Sequence, residues 1–300
     1  MSNSLKYYLA ALAAFVTVAI FTSYTETPFT AVETMHSFNI PHVNAESDYW
    51  FAGERIPVEN FDVRERLERE LIVNSYRHST TILNLKNSAR YFPVIEKILK
   101  ENGVPEDFKY IAVAESDLRN ATSPVGAKGI WQFMEGTAGD YGLEVSREVD
   151  ERLHLEKSTR AACEYLKKYK ERFGSWALVA AAYNMGAGGL RNEIENQKFT
   201  NYYDLNLSEE TNRYVFRLVA IKEVMEHPEK YGFDLDEKQF YPPLEKYALV
   251  TVDTSLASLG DFAKQFGVSY RMLKIYNPWL KDYKLTNPKG KVYDIKIPKE

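Results

Sequence analysis

Apolar side chains recur at steps of three and four through most of residues 63–227, the period of helices with one buried face. Val63, Leu67, Leu71 and Ile72 mark a first helix over residues 63–74. Phe92, Ile95, Ile98 and Leu99 mark a second over 89–100, which Asn102-Gly103 closes. Pro105 suits the first turn of a third, over 106–118, with Phe108, Ile111, Glu115 and Leu118 at helical spacing. Glu115 therefore falls on an apolar face. A polar stretch carrying glycines follows, and then a short helix led by Trp131 and Gln132. Further helices are expected over 157–172 and from Ser175-Trp176 through the run A-L-V-A-A-A-Y-N, stopped by Gly186, Gly188 and Gly189. Side chains that small let a neighbouring helix approach closely. The last helix runs from Ser208, an N-cap residue type, to about residue 227, where Pro228 ends it.

The pattern changes on both sides of this region. After Tyr241-Pro242-Pro243 come an alternating run over 247–252, helical patterns over 255–266 and 270–276, and a second alternating run over 292–297. This is a β-α-α-β unit. At the other end, residues 5–21 place one Lys before an apolar run, the pattern of an export signal or an N-terminal anchor. Residues 22–48 are rich in Thr, Ser, Pro and Asn without periodicity and read as a tether, with ordered chain expected from about Tyr49. The expected layout is a signal or anchor at 1–24, a tether at 25–48, a mainly α domain at 49–240 and a small α+β module at 241–300.

Charge and composition narrow the chemistry. The net charge of −4 argues against nucleic acid as the partner. The charge is uneven: residues from Leu244 onward carry +4 and the first 243 carry −8. A basic tail suits a polyanionic wall, or simply a solvated surface. Cys163 is alone, so no intrachain disulfide is expected, and no cysteine or histidine cluster has metal-ligand spacing. No metal or other cofactor is expected.

Glu115 is the candidate acid. A glycosidic oxygen leaves poorly until protonated, so its acid must hold a proton near neutral pH. Apolar neighbours raise a carboxyl pKa by desolvation, which is the setting Ile111 and Leu118 offer. The bland alternative is a helix-end glutamate turned to solvent or paired with Arg119. Glycosidases usually carry a second carboxylate at a set distance. Asp117, Glu135, Asp140, Asp150 and Glu151 are nearby in sequence but none has a distinguishing context, and Asp150-Glu151-Arg152 reads as a surface or salt-bridge cluster. That favours chemistry with one carboxylate.

Three separated segments resemble the soluble lytic transglycosylase family. They are Glu115-Ser116 with S-P-V-G-A-K-G-I-W-Q from Ser123 to Gln132, A-Y-N-M-G from Ala182, and E-T-N-R-Y-V from Glu210. F-A-G-E-R-I-P-V from Phe51, Trp131 and D-E-R from Asp150 are similar to the membrane-bound lytic murein transglycosylase D subgroup. The resemblance implies a lysozyme-like helical fold and cleavage of the β-1,4 bond between N-acetylmuramic acid and N-acetylglucosamine. It implies Glu115 as acid and then base, leaving 1,6-anhydro ends, with Ser123, Gln132, Tyr183, Asn184, Glu210 and Tyr214 around the substrate. Each of these has a structural alternative: Ser123 capping its loop, Gln132 bonding the loop, Trp131 packing in the core, Asn184 holding a helix end, and Glu210 pairing with Arg213. The tail resembles a LysM module, which implies a glycan-binding role. Val252-Asp253-Thr254-Ser255 replaces the usual Gly-Asp-Thr turn, and packing against the catalytic domain is the alternative. The expected partner is peptidoglycan in the cell envelope. A hydrolytic muramidase of the same fold and a non-catalytic wall-binding scaffold are the competing readings.

Overall fold

The structure is a computed structural model that describes residues 40–44 and 46–299. The expected export segment, and the expected tether up to residue 39, lie outside the described residues. The described chain is mainly α, with a β-α-α-β module at its end, as the periodicity indicates.

The first described element is a hairpin that the sequence pattern does not announce. β1 (Tyr49–Phe51) pairs antiparallel with β2 (Glu54–Ile56). The two-residue turn needs positive φ at both central positions, and Ala52 and Gly53 take φ of 52° and 78°. Packed chain begins before the expected Tyr49. Val43 is fully buried, and its N–H donates to Glu68 Oε2 at 2.9 Å.

α1 (Phe61–Ser75), α2 (His78–Glu101), α3 (Lys109–Ser116), α4 (Glu135–Asp140), α5 (Leu155–Phe173), α6 (Trp176–Met185), α7 (Ala187–Gln197) and α8 (Glu209–Glu226) build the larger body. α6 packs against α5, α7 and α8, and its Ala177, Ala180, Ala181 and Ala182 are buried there. The small side chains let three helices converge on one axis. α2 begins eleven residues before the expected residue 89. Its first turns, H-S-T-T-I-L-N-L, carry poor helix formers, and tertiary burial of Thr81, Asn84 and Leu85 holds them. α7 follows Gly186 directly, so the glycines expected to end the helical run only turn it. The helix expected to be led by Trp131 is a turn, and the short helix starts at Glu135.

The C-terminal module comprises β3 (Tyr247–Val252), α9 (Leu259–Gln265), α10 (Tyr270–Tyr276) and β4 (Tyr293–Pro298). β3 and β4 are antiparallel, with Val250 opposite Ile295. The expected linker is held in place: the Tyr241 N–H donates to Lys86 O at 3.0 Å, and Arg90 Nε donates to Pro242 O at 3.1 Å. The module's own core of Leu259, Leu273, Trp279, Leu280 and Ile295 takes in Val149 and Leu153 from the larger body.

Candidate active site

α3 carries Glu115 in its last turn. The helix ends because Asp117 and Leu118 both turn left-handed, at φ 52° and 54°. Ile111 and Leu118 are fully buried beside Glu115, as the spacing predicts. Arg119 pairs with Asp117 at 3.4 Å, so it is not the partner of Glu115. The partner is Tyr214 of α8, whose buried hydroxyl donates to Glu115 Oε1 at 2.5 Å. Burial pushes the Glu115 carboxyl above its ordinary value. The Tyr214 hydrogen bond and the charge of Arg217 pull it down, and the charge of Glu210 pushes it up; burial prevails.

The loop after α3 folds back on itself. Lys128 and Phe133 exchange backbone hydrogen bonds of 3.1 and 3.2 Å. Ser123 Oγ accepts from the Ala127 N–H at 3.0 Å, so Ser123 caps the loop. Gln132, at φ 51°, turns its amide inward: Nε2 donates to Gly129 O at 2.7 Å and to Ala121 O at 3.2 Å. Ser116 Oγ lies 2.9 Å from both Ala112 O and Ile130 O and so ties the loop to the end of α3. Trp131 is fully buried, with Nε1 donating to Thr159 Oγ1 at 2.9 Å; it is a core residue and not a sugar platform. Its carbonyl accepts from the Tyr183 hydroxyl at 2.5 Å. Tyr183 thus braces the loop while standing within electrostatic range of Glu115; burial first, then that carboxyl, keeps its phenol protonated.

The remaining expected residues divide. Asn184 Oδ1 accepts from Thr211 Oγ1 at 2.7 Å, which fixes the end of α6 to the first turn of α8. Glu210 is exposed and lies 3.9 Å from Arg217, not beside the expected Arg213. Arg213 turns to Glu209 and to the buried Glu70, both at 3.8 Å. Arg217 also reaches Glu70 at 3.7 Å. Arg217 went unnoticed in the sequence, and Thr211 stood there only as a letter of the third motif without a role; the one available signal was that Arg217 follows Glu210 by two helical turns. Asp150, Glu151 and Arg152, read as a surface or salt-bridge cluster, are an ion-pair cluster but a buried one.

The arrangement favours the protonated form of one carboxyl beside a hydrogen-bonded loop, with a carboxylate–guanidinium pair nearby. Among the described residues no group of three His, Cys, Asp or Glu could hold a metal ion. A cleft of about 180 Å³ lies elsewhere: Tyr91, Asn120, His154, Tyr247 and Tyr276 line it, and neither Glu115 nor Tyr214 does.

Residues 92–206 match the family described as Transglycosylase SLT domain, and residues 248–300 match the Soluble lytic transglycosylase C-terminal LysM-like domain. Membrane-bound lytic murein transglycosylase D of Escherichia coli, in strains K12 and O6:H1, is 30% identical over 250 residues, spanning 79% of this chain and 53% of the relative. The chain thus spans about half the length of the relatives it matches. Among solved structures, the 70 kDa soluble lytic transglycosylase of E. coli aligns with a TM-score of 0.42 at 19% identity, over 61% of this chain and 36% of that one.

Proposed function

We propose that this chain, whose residues 92–206 match the transglycosylase SLT domain family and residues 248–300 its companion LysM-like domain family, is a lytic transglycosylase that cleaves the glycan strands of peptidoglycan in the cell envelope. The observation that carries the reading is the carboxyl of Glu115, pushed up by burial and hydrogen-bonded by Tyr214 next to the loop. Protonated Glu115 gives its proton to the glycosidic oxygen between N-acetylmuramic acid and N-acetylglucosamine. The resulting carboxylate takes the proton of the muramic C6 hydroxyl, whose oxygen bonds to C1. A 1,6-anhydro end and a free N-acetylglucosamine hydroxyl result, with no water consumed. The donor bond from Tyr214 steadies the carboxylate between the two steps. Ser123, Gln132 and Asn184 act by holding the loop and α8 in place, and Tyr183 does so from beneath. Glu210 faces the substrate from the start of α8. The chemistry draws on no metal or cofactor, and nucleic acid has no part in it.

One observation favours a second reading. Glu210 stands in electrostatic range of Glu115 and beside Arg217, where a carboxylate could activate water. The enzyme would then be a hydrolytic muramidase. Mass spectrometry of digested sacculi separates the two. Anhydro-muropeptides are the expected product, whereas reducing ends alone would establish hydrolysis. Glu115→Gln is expected to lower the release rate by at least about 100-fold. A variant that solubilised sacculi at the wild-type rate would remove Glu115 from the chemistry.

A further inference from the structure

The C-terminal module is docked through an interface that leads directly into the catalytic loop. The segment from Glu144 to Glu156 forms one side of that seam. Val149 and Leu153 fill the module's core, and the His154 ring stacks on Trp279 at 5.6 Å. Two backbone bonds cross: the Asp150 N–H donates to Trp279 O at 2.9 Å, and the Lys281 N–H donates to Glu148 O at 2.7 Å. Four ion pairs surround them. Glu144 meets Lys291, Glu156 meets Lys296, Glu148 lies 3.6 Å from Lys284, and Arg147 lies 3.3 Å from Asp282. Thr286 Oγ1 adds a bond of 3.0 Å to Glu148.

Behind the seam sits a buried ion pair. Asp150 and Arg152 are 1% and 3% exposed and bonded by two parallel hydrogen bonds of 2.8 and 2.9 Å. The remaining guanidinium nitrogen of Arg152 donates to Gly126 O at 3.1 Å and to Phe133 O at 3.2 Å. Those carbonyls bracket the loop that holds Ala127 to Gln132. Lys128 approaches Asp150 at 3.4 Å. Gly129 packs so tightly on the Arg152 carbonyl that a Cβ there would lie 2.0 Å from its oxygen. A buried pair with one partner removed leaves an uncompensated charge, so each partner holds the other in place while the burial persists. The module is part of that burial, because it accepts the Asp150 N–H and covers Val149.

We propose that the module serves catalysis as a brace: Lys281 fixes the segment at Glu148, Trp279 fixes Asp150, Asp150 fixes Arg152, and Arg152, a positioning residue, holds the loop beside Glu115 in its working geometry. This rests on the proposed transglycosylase activity. It differs from a glycan anchor in what each would change. An anchor sets how much sacculus is needed for half-maximal rate; a brace sets the maximal rate. The full chain is compared with Arg152→Lys, which keeps the charge and loses the fork, and with the milder seam variant Glu148→Ala. Initial rates of muropeptide release are measured over a range of sacculus concentrations, alongside co-sedimentation with sacculi and amide hydrogen exchange. The maximal rate is expected to fall about 10- to 100-fold for Arg152→Lys and less for Glu148→Ala, with half-saturation and co-sedimentation within about twofold of wild type. The Lys128 and Phe133 amides exchange faster, while those of α6 stay protected, which separates loosening from unfolding. Wild-type maximal rates with weakened co-sedimentation would overturn the brace and leave an anchor. An inactive wild-type chain would overturn the proposed activity instead; the brace would then stand or fall on whether the loop amides respond to Arg152→Lys.

Discussion

Burial and two charged neighbours set the proton on Glu115 in opposing senses, and that competition can be read by pH. The acid step needs the protonated form, so the rate falls as pH rises through the raised pKa of Glu115. Removing Glu210 by Glu210→Gln takes away a repulsive charge. The alkaline limb of the pH–rate profile is then expected at lower pH, and for Arg217→Met at higher pH. Rate profiles from pH 4 to 9, set roughly to span the ordinary carboxyl value and its raised limb, check both directions. The same shift bears on stability. A carboxyl whose folded pKa is raised adds stability below its unfolded pKa and loses it as pH rises through the folded value. Glu115→Gln is therefore expected to melt at or above the wild-type temperature at neutral pH. Gly129 offers a test of packing without chemistry. It takes φ 83° against the backbone of Arg152, so Gly129→Ala both strains the residue and collides with a carbonyl. A loss of about 3 kcal/mol or more by urea denaturation is expected.

At the scale of elements, helix ends do much of the placing. The hairpin of β1 and β2 sends Glu54 to the N-terminus of α6. Its carboxylate accepts from the Trp176 and Ala177 N–H groups at 2.6 and 3.0 Å and from Ser175 Oγ at 3.2 Å. A carboxylate there satisfies orphan donors and opposes the positive end of the helix dipole. Glu54→Ala is expected to cost about 1–2 kcal/mol, lowering the melting temperature by roughly 2–8 °C. Because α6 ends in Tyr183 and Asn184, the cap also steadies the support of the loop and of α8. The motif F-A-G-E was legible as a string, but its partner lies over 120 residues away, and no local pattern announces such a pair. The charge imbalance is explained at the same scale. Lys284, Lys291 and Lys296 of the basic tail face Glu148, Glu144 and Glu156 of the acidic body. Opposite net charges in the two parts are complementary surfaces of one seam.

At the scale of the molecule, the seam makes docking sensitive to acid. Burial pushes the Glu156 carboxyl up, but His154 and Lys296 beside it outweigh burial and hold it down at about 2, from an ordinary 4.5. A carboxyl depressed in the folded state adds stability above its unfolded pKa and loses it as pH falls through the folded one. The module is expected to loosen between about pH 4.5 and 2, before the larger body unfolds. Trp279, stacked between His154 and Tyr293, reports it. A red shift of tryptophan fluorescence is expected in that window, and Lys296→Met, which removes one of the charges that hold Glu156 down, should move it to higher pH. A single transition for module and body together would contradict separable docking.

The sequence by itself determined the mainly helical body, the β-α-α-β end, the burial of Ile111 and Leu118 around Glu115, and three motifs whose order points to one family. These are properties of period and local chemistry, which a chain carries whatever its neighbours do. Tertiary structure decided the rest. It chose Tyr214 as the donor to Glu115, turned Gln132 and Ser123 into the loop, and buried Trp131. It placed Glu210 beside Arg217 and drew Asp150 and Arg152 under the module. Each of those outcomes depends on side chains that are distant along the chain meeting with a particular direction and depth, and periodicity fixes a face of a helix without fixing what that face will meet.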